Sequence, residues 1–152
     1  MTSFLFTNQD GVARYGRYRI SPQAGVEHLD QATAKSRGAN YLFDEVAQRV
    51  AAGPIRFDIL VQIAGAGDVV DDATKHWPSN RPVMHFGTVT LNAVGAENDP
   101  EHQRVIFDPI PRVDGIEPSD DPLLELRAAI YLISGRRRRQ ARQSKPGVAT
   151  TV

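Results

Sequence analysis

The stretch Arg127-Ala128-Ala129-Ile130-Tyr131 combines residue types and spacing that can do chemistry. Residues four apart share a helix face, so on a helix Leu123, Arg127 and Tyr131 form one stripe, and Arg138 returns near it two turns after Tyr131. A free phenol has a pKa of about 10 and ligates poorly near neutral pH. A guanidinium held beside it favours the anion. The phenolate is an oxygen donor and one of the known proximal ligand types of haem iron. Arg at i with Tyr at i+4 is therefore a workable way to build an axial ligand. The same spacing also describes a core-edge phenol next to a solvated charge, and spacing alone does not separate the two.

Other chemistries find less support. There is no cysteine, which excludes disulfides, thiolate ligands and a cysteine nucleophile. His28, His76, His85 and His102 lack zinc spacing. Gly65-Ala66-Gly67 follows a strand-like run, but Val70 stands where a third glycine of a dinucleotide loop belongs, and no βαβ unit follows. Asp68, Asp71 and Asp72 read as a solvated loop rather than a cation cage. Arg136 to Arg139, with Arg142 and Lys145, have no aromatic residues interleaved for stacking on bases, so the run reads as a solvated helix end suited to the helix dipole rather than a nucleic-acid surface.

Several elements must position these side chains. Phe4-Leu5-Phe6, the turn residues Asn8 to Gly11, and Val12 to Ile20 read as a β-hairpin. A helix is predicted from Asn40 to Ala52, with Leu42, Val46 and Val50 on one face and Gly53-Pro54 as its stop. Ile55 to Ala64 and Val83 to Asn92 alternate as strands. Residues 93–120 show little periodicity and read as a long ordered loop of the kind that wraps a ligand. The last helix starts at Pro122, capped by Ser119, Asp120 or Asp121, is weakened at Gly135, and is expected to fray from Arg136 onward.

With 152 residues, equal numbers of acidic and basic side chains and 41% hydrophobic residues, the chain fits one globular domain with a modest core, and net charge points to no partner. No apolar run reaches the length of a membrane span, and the first residues lack a signal-peptide pattern, which together give a cytoplasmic expectation.

The run FDPIPRVDGIEPSDDPLLELRAAIY from Phe107 resembles the haem catalase segment in which F-D-P leads to V-x-G-I-E-x-S, then D-x-x-L, then R-x-x-x-Y. Upstream, Asp72 to Pro78 is similar to the family's D-x-T-K-x-W-P run, Gly87 to Asn92 to its G-x-L-x-L-N strand, and Gln62 matches as well. Phe6-Thr7-Asn8, Gly11 and Arg14 to Arg19 resemble the smaller catalase-related haem peroxidases more than the large catalases. The likeness spans roughly residues 3–139.

The resemblance implies an α+β fold: the antiparallel four-stranded half of a catalase-type β-barrel with flanking helices, including a C-terminal helix on the proximal side of the haem. It would occupy residues 1–139, the C-terminal half of the core domain, followed by a basic, disordered tail at 140–152. It implies haem-dependent breakdown of hydrogen peroxide with haem b as cofactor, the alternatives being a truncated, non-catalytic haem-binding or partner-completing fragment, or an enzyme of this fold acting on organic hydroperoxides. Tyr131 would be the axial ligand, Arg127 the cation that keeps it ionised, and Arg138, or Arg137 in its place, the partner of a haem propionate. Phe107 and Leu123 would pack beside the porphyrin, with Ala129 a smaller wall than the family's usual aromatic. The family's distal histidine and asparagine lie upstream of this segment, and none of the four histidines matches. The expectations are thus a proximal half-site, unpaired strand edges where four strands cannot close a barrel, and either a homo-oligomer or a missing N-terminal half that completes the site.

Overall fold

The computed structural model describes residues 1–96, 99 and 101–143. Five strands, β1 (Phe4–Thr7), β2 (Ala13–Pro22), β3 (Ile55–Ile63), β4 (Val83–Leu91) and β5 (Ile116–Pro118), form one antiparallel sheet in the order β4-β3-β2-β1-β5. The helices are α1 (Gln31–Ser36), α2 (Tyr41–Ala52) and α3 (Pro122–Gln143), with a 3₁₀ turn at His102–Arg104. The sheet is open, with β4 and β5 at its edges. No helix among the described residues is long and apolar enough to cross a membrane.

The hairpin turns because the Asn8 side chain accepts from the amides of Asp10 and Val12, at 3.0 and 2.8 Å, while Gly11 takes a positive φ of 76°. Register then fixes which side chains share a face. Phe4, Phe6, Tyr18, Val61, Met84 and Ile116 lie on one side, and Arg17 and Gln62 on the other. A bulge opposite Ile59 and Leu60 leaves Phe86 out of the pairing and aims it at the aromatic side. There Phe6, Tyr18 and Phe86 form an edge-to-face cluster with centroids 5.4–6.0 Å apart. A Cβ on Gly16 would come within 2.9 Å of the Phe6 ring, so this aromatic layer needs a glycine at that position.

The β3–β4 loop covers the part of the polar side around Arg17 and Gln62. Trp77 is buried there and donates from Nε1 to the Val69 carbonyl at 2.7 Å. The Arg17 guanidinium stacks 4.1 Å from the Trp77 ring centre and donates to the carbonyls of Lys75, Val69 and Asp72. Gln62 donates to the Pro78 carbonyl and accepts from Arg19. Asp68 takes both Arg81 Nε and Nη2, at 2.8 and 2.9 Å, so it is a paired loop clasp and not the solvated acid expected from sequence.

Three further differences from expectation have local causes. The 93–120 region is not structureless: it carries the 3₁₀ turn and β5, so the sheet has five strands where four were expected. β5 forms because Gly115, at φ 80°, lets its carbonyl accept from the Thr7 amide at 2.8 Å; a Cβ there would sit 2.9 Å from the Thr7 oxygen. Three residues ending in proline carry no readable alternation. Helix α2 lies where predicted, yet only Val50 of its apolar stripe is buried, Phe43 is 78% exposed, and the Asn40 side chain makes no capping hydrogen bond. Helix α3 continues through the arginine run to Gln143, where fraying was expected from Arg136, while residues 144–152 of the predicted tail lie outside the described residues.

The clasp has a pH signature. The Arg81 hydrogen bond, more than its charge, holds the Asp68 carboxyl below the usual range. A group with a lowered folded pKa stabilises fully above its unfolded value of about 3.9 and loses that contribution as pH falls through the folded value. Arg81→Gln is expected to be less stable than wild type at about pH 6, with the gap narrowing below about pH 4. Urea unfolding followed by fluorescence of Trp77, the sole tryptophan, measures both; a gap independent of pH would remove the clasp from the account.

Candidate functional site

Helix α3 begins where the chain supplies a complete stop-and-start signal. Asp121 Oδ1 accepts from the Leu123 amide at 3.0 Å, and Pro122 has no amide hydrogen to lose in the first turn. Of the three candidate caps, Asp121 is the one that bonds the helix. Two of its contacts with the rest of the fold lie at its head and three turns on. At its head, Asp121 and Leu124 are buried, with Leu124 only 1% exposed. Three turns on, Gly135 is buried against Ile106, which a Cβ would approach to 2.9 Å, and Arg138 donates to the Val105 carbonyl at 2.5 Å. Gly135 therefore weakens the helix intrinsically while permitting close approach of the 105–107 segment.

Tyr131 lies between these two supports and is half-buried. The Arg127 guanidinium donates from Nη2 to the phenol oxygen at 3.2 Å, with its carbon 5.5 Å from the ring centre. The expected Arg–Tyr pair is thus assembled within the helix itself. Arg138 and Phe107 form a second pair, the guanidinium 5.5 Å over a ring that is 64% exposed. Arg138 Nε is buried with no hydrogen-bond partner among the described residues. Leu123 is exposed and belongs, with Leu126, Ile130 and Ile133, to an apolar stripe that water still sees. No described hydrogen bond joins the Arg127–Tyr131 pair to the Arg138–Phe107 pair; they are neighbours along one helix rather than a closed pocket.

A cleft of about 610 Å³ does exist, but on the aromatic side of the sheet, between Phe6, Val12, Ile63, Met84, Phe86 and Ile116. None of the five expected site residues lines it. Among the described residues no group of three or more His, Asp or Glu side chains could hold a metal ion. What α3 offers is a phenol with a fixed cationic donor, an unused guanidinium donor one helical stretch later, and uncovered apolar surface beside both. That set fits a flat, largely apolar ligand bearing carboxylates and a metal at its centre.

The comparisons with known proteins agree with the fold. The family model described as Catalase matches residues 1–145. This chain belongs to the catalase family. Among curated relatives, the catalase-related peroxidase of Mycolicibacterium paratuberculosis is 40% identical over 132 residues, covering 87% of this chain and 42% of that protein. The catalase-related peroxidase of Synechococcus elongatus is 33% identical, with 87% and 39% covered. The chain thus spans about two fifths of the length of these catalase relatives. Catalase A from Saccharomyces cerevisiae superposes with a TM-score of 0.76 at 22% identity, over 90% of this chain and 30% of that one, a likeness of fold.

Sequence reasoning found the stripe on α3 but missed what holds the helix in place. Asp121 was one of three possible caps, and nothing in its context marked it as buried. Arg17 sat in a Tyr- and Arg-rich strand as one of several cations, with no signal that Trp77, sixty residues on, covers it.

The two-point mounting predicts unequal effects along one helix. Leu124→Ala is expected to cost about 2–5 kcal/mol, the range for a fully buried leucine, whereas Leu126→Ala, at a site 55% exposed, is expected to cost less than about 1 kcal/mol. Chemical denaturation of both variants checks this, and equal losses would contradict the mounting.

Proposed function

We propose that this chain provides the proximal half of a haem site in a peroxide-metabolising protein of the catalase family, with haem b as cofactor and hydrogen peroxide as substrate. The observation that carries the reading is the Arg127–Tyr131 hydrogen bond on α3, at 3.2 Å. The phenol oxygen of Tyr131 would be the iron ligand. Arg127, donating to that oxygen, would hold it in place as the oxygen donor, one of the known proximal ligand types of haem iron. Leu123 and Phe107 would cover porphyrin surface, which accounts for their exposure in the chain alone. Arg138, whose Nε has no hydrogen-bond partner among the described residues, would pair a propionate, and Arg137 is the alternative in the same run.

When bound, haem would supply the redox chemistry on the O–O bond that no side chain provides. The chain's own contribution is to hold one axial position and orient the ring. A distal acid–base pair that moves the peroxide proton is not among its expected site residues, and such pairs typically contribute about 10²–10⁴-fold to rate. The reading therefore assigns the distal half to a further polypeptide segment. A second reading, organic hydroperoxides as substrate, shares the same proximal residues.

The chain is expected to bind haem with a high-spin phenolate-type absorption spectrum that is lost in Tyr131→Phe. In Arg127→Leu the affinity is expected to fall by about tenfold, as for loss of one charge-assisted hydrogen bond. Oxygen release from peroxide by the loaded chain should lie at least about 10²-fold below that of a full-length relative. Retention of the wild-type spectrum in Tyr131→Phe would defeat the ligand assignment, and full-rate oxygen release would defeat the half-site assignment.

A further inference from the structure

We infer that Arg17 and Asp121 are a buried positioning pair that docks the head of α3 onto the sheet and thereby sets where Tyr131 points; the last clause rests on the haem reading above. Arg17, on β2, is 4% exposed, and Asp121, at the head of α3, is 3% exposed. Charged side chains this dry are uncommon unless compensated. Each is only partly satisfied by hydrogen bonds. The Nη atoms of Arg17 reach the Lys75, Val69 and Asp72 carbonyls, leaving Nε buried without a partner among the described residues. Asp121 Oδ1 caps α3, leaving Oδ2 likewise buried and without a partner among them. Among the described residues, Arg17 thus keeps a buried donor and Asp121 a buried acceptor without a partner.

The two are coupled through space and through the backbone between them. Among the acids that act on the Arg17 charge, Asp121 acts most strongly, ahead of Asp68 and Asp72. Ser3 ties the surroundings together: its carbonyl accepts from the Ser119 amide at 3.3 Å, and its hydroxyl donates to the Val70 carbonyl. The loop that carries Trp77, the strand that carries Arg17 and the residues leading into α3 therefore converge on one polar site. Among the described residues no ion pair or hydrogen bond joins Arg17 directly to Asp121, so their coupling is electrostatic, and opposite charges interact more strongly away from bulk water.

The consequence reaches Tyr131 because α3 is a lever with two supports. Ten residues of helix, about 15 Å, separate Asp121 from Tyr131. If the head support is lost, the helix keeps its contacts from Gly135 onward, and the stretch between swings about them. Removing one partner of a buried charge pair leaves the other uncompensated, whereas replacing both with neutral groups is often tolerated. Asn also caps helices, so Asp121→Asn removes the charge and keeps the cap.

The test uses the whole chain as wild type, Asp121→Asn, Arg17→Met, the double variant R17M/D121N, and the conservative Arg17→Lys. Without haem, amide hydrogen exchange is read for Leu124 to Tyr131 on α3 and for Tyr18 and Val61 in the sheet. Asp121→Asn is expected to speed exchange on α3 by at least about tenfold with sheet amides little changed, the double variant to exchange no faster on α3 than Arg17→Met alone, and Arg17→Lys to keep most of the protection that Arg17→Met loses. With haem, the Tyr131-dependent spectrum should weaken in the same order. Acceleration spread evenly over helix and sheet, or none at all, overturns the pair as a positioning device and leaves a general core role. Absence of that spectrum in wild type overturns the haem reading instead, while exchange still decides the docking.

Discussion

The burial of one guanidinium organises this fold. Arg17 stands on the polar side of a small sheet, and the chain cannot leave it dry without bringing carbonyls to it. The β3–β4 loop does so by folding back with Trp77 on top of the cation and three backbone oxygens around it. That loop is closed by the Asp68–Arg81 clasp, and Ser3 bonds both the loop, at Val70, and Ser119 just before α3. A core of few fully buried apolar residues, Phe4, Val50, Val61, Trp77 and Leu124, is thus supplemented by a polar interior. Such interiors gain little net stability but fix geometry, because a half-satisfied arrangement costs more than a complete one.

The two sides of the sheet differ in a way that bears on function. On the polar side, Arg17, Gln62 and Trp77 are buried beneath the β3–β4 loop, while Arg19 and His85 stay exposed. On the aromatic side, Phe86, Met84 and their neighbours remain accessible around an open cleft. The edge strand β4 carries Val83, Met84, Phe86, Val89 and Leu91 exposed, with no lysine or proline within it to discourage pairing.

Much of this was legible in the residues. The hairpin, β3, β4 and α2 follow from turn chemistry and periodicity, and the Arg127–Tyr131 pair follows from four-residue spacing alone because a helix brings such residues together without help from the rest of the fold. What was not legible depends on distant partners. β5 is three residues held by a positive-φ glycine against β1. The exposure of α2 could not be inferred from its apolar stripe, since the periodicity says which face is apolar and not whether anything covers it. Asp68 looked like a loop acid until Arg81 was found across from it, and the load on Asp121 is visible only once Arg17 is seen to be buried.

The central claim is that the phenol oxygen of Tyr131 is an iron ligand. Resonance Raman spectroscopy of the haem-loaded chain, excited in the phenolate-to-iron charge-transfer region, tests it most directly. The account predicts enhanced phenolate ring modes that shift when tyrosine is isotopically labelled. Spectra that carry only porphyrin modes, unmoved by the label, would contradict it.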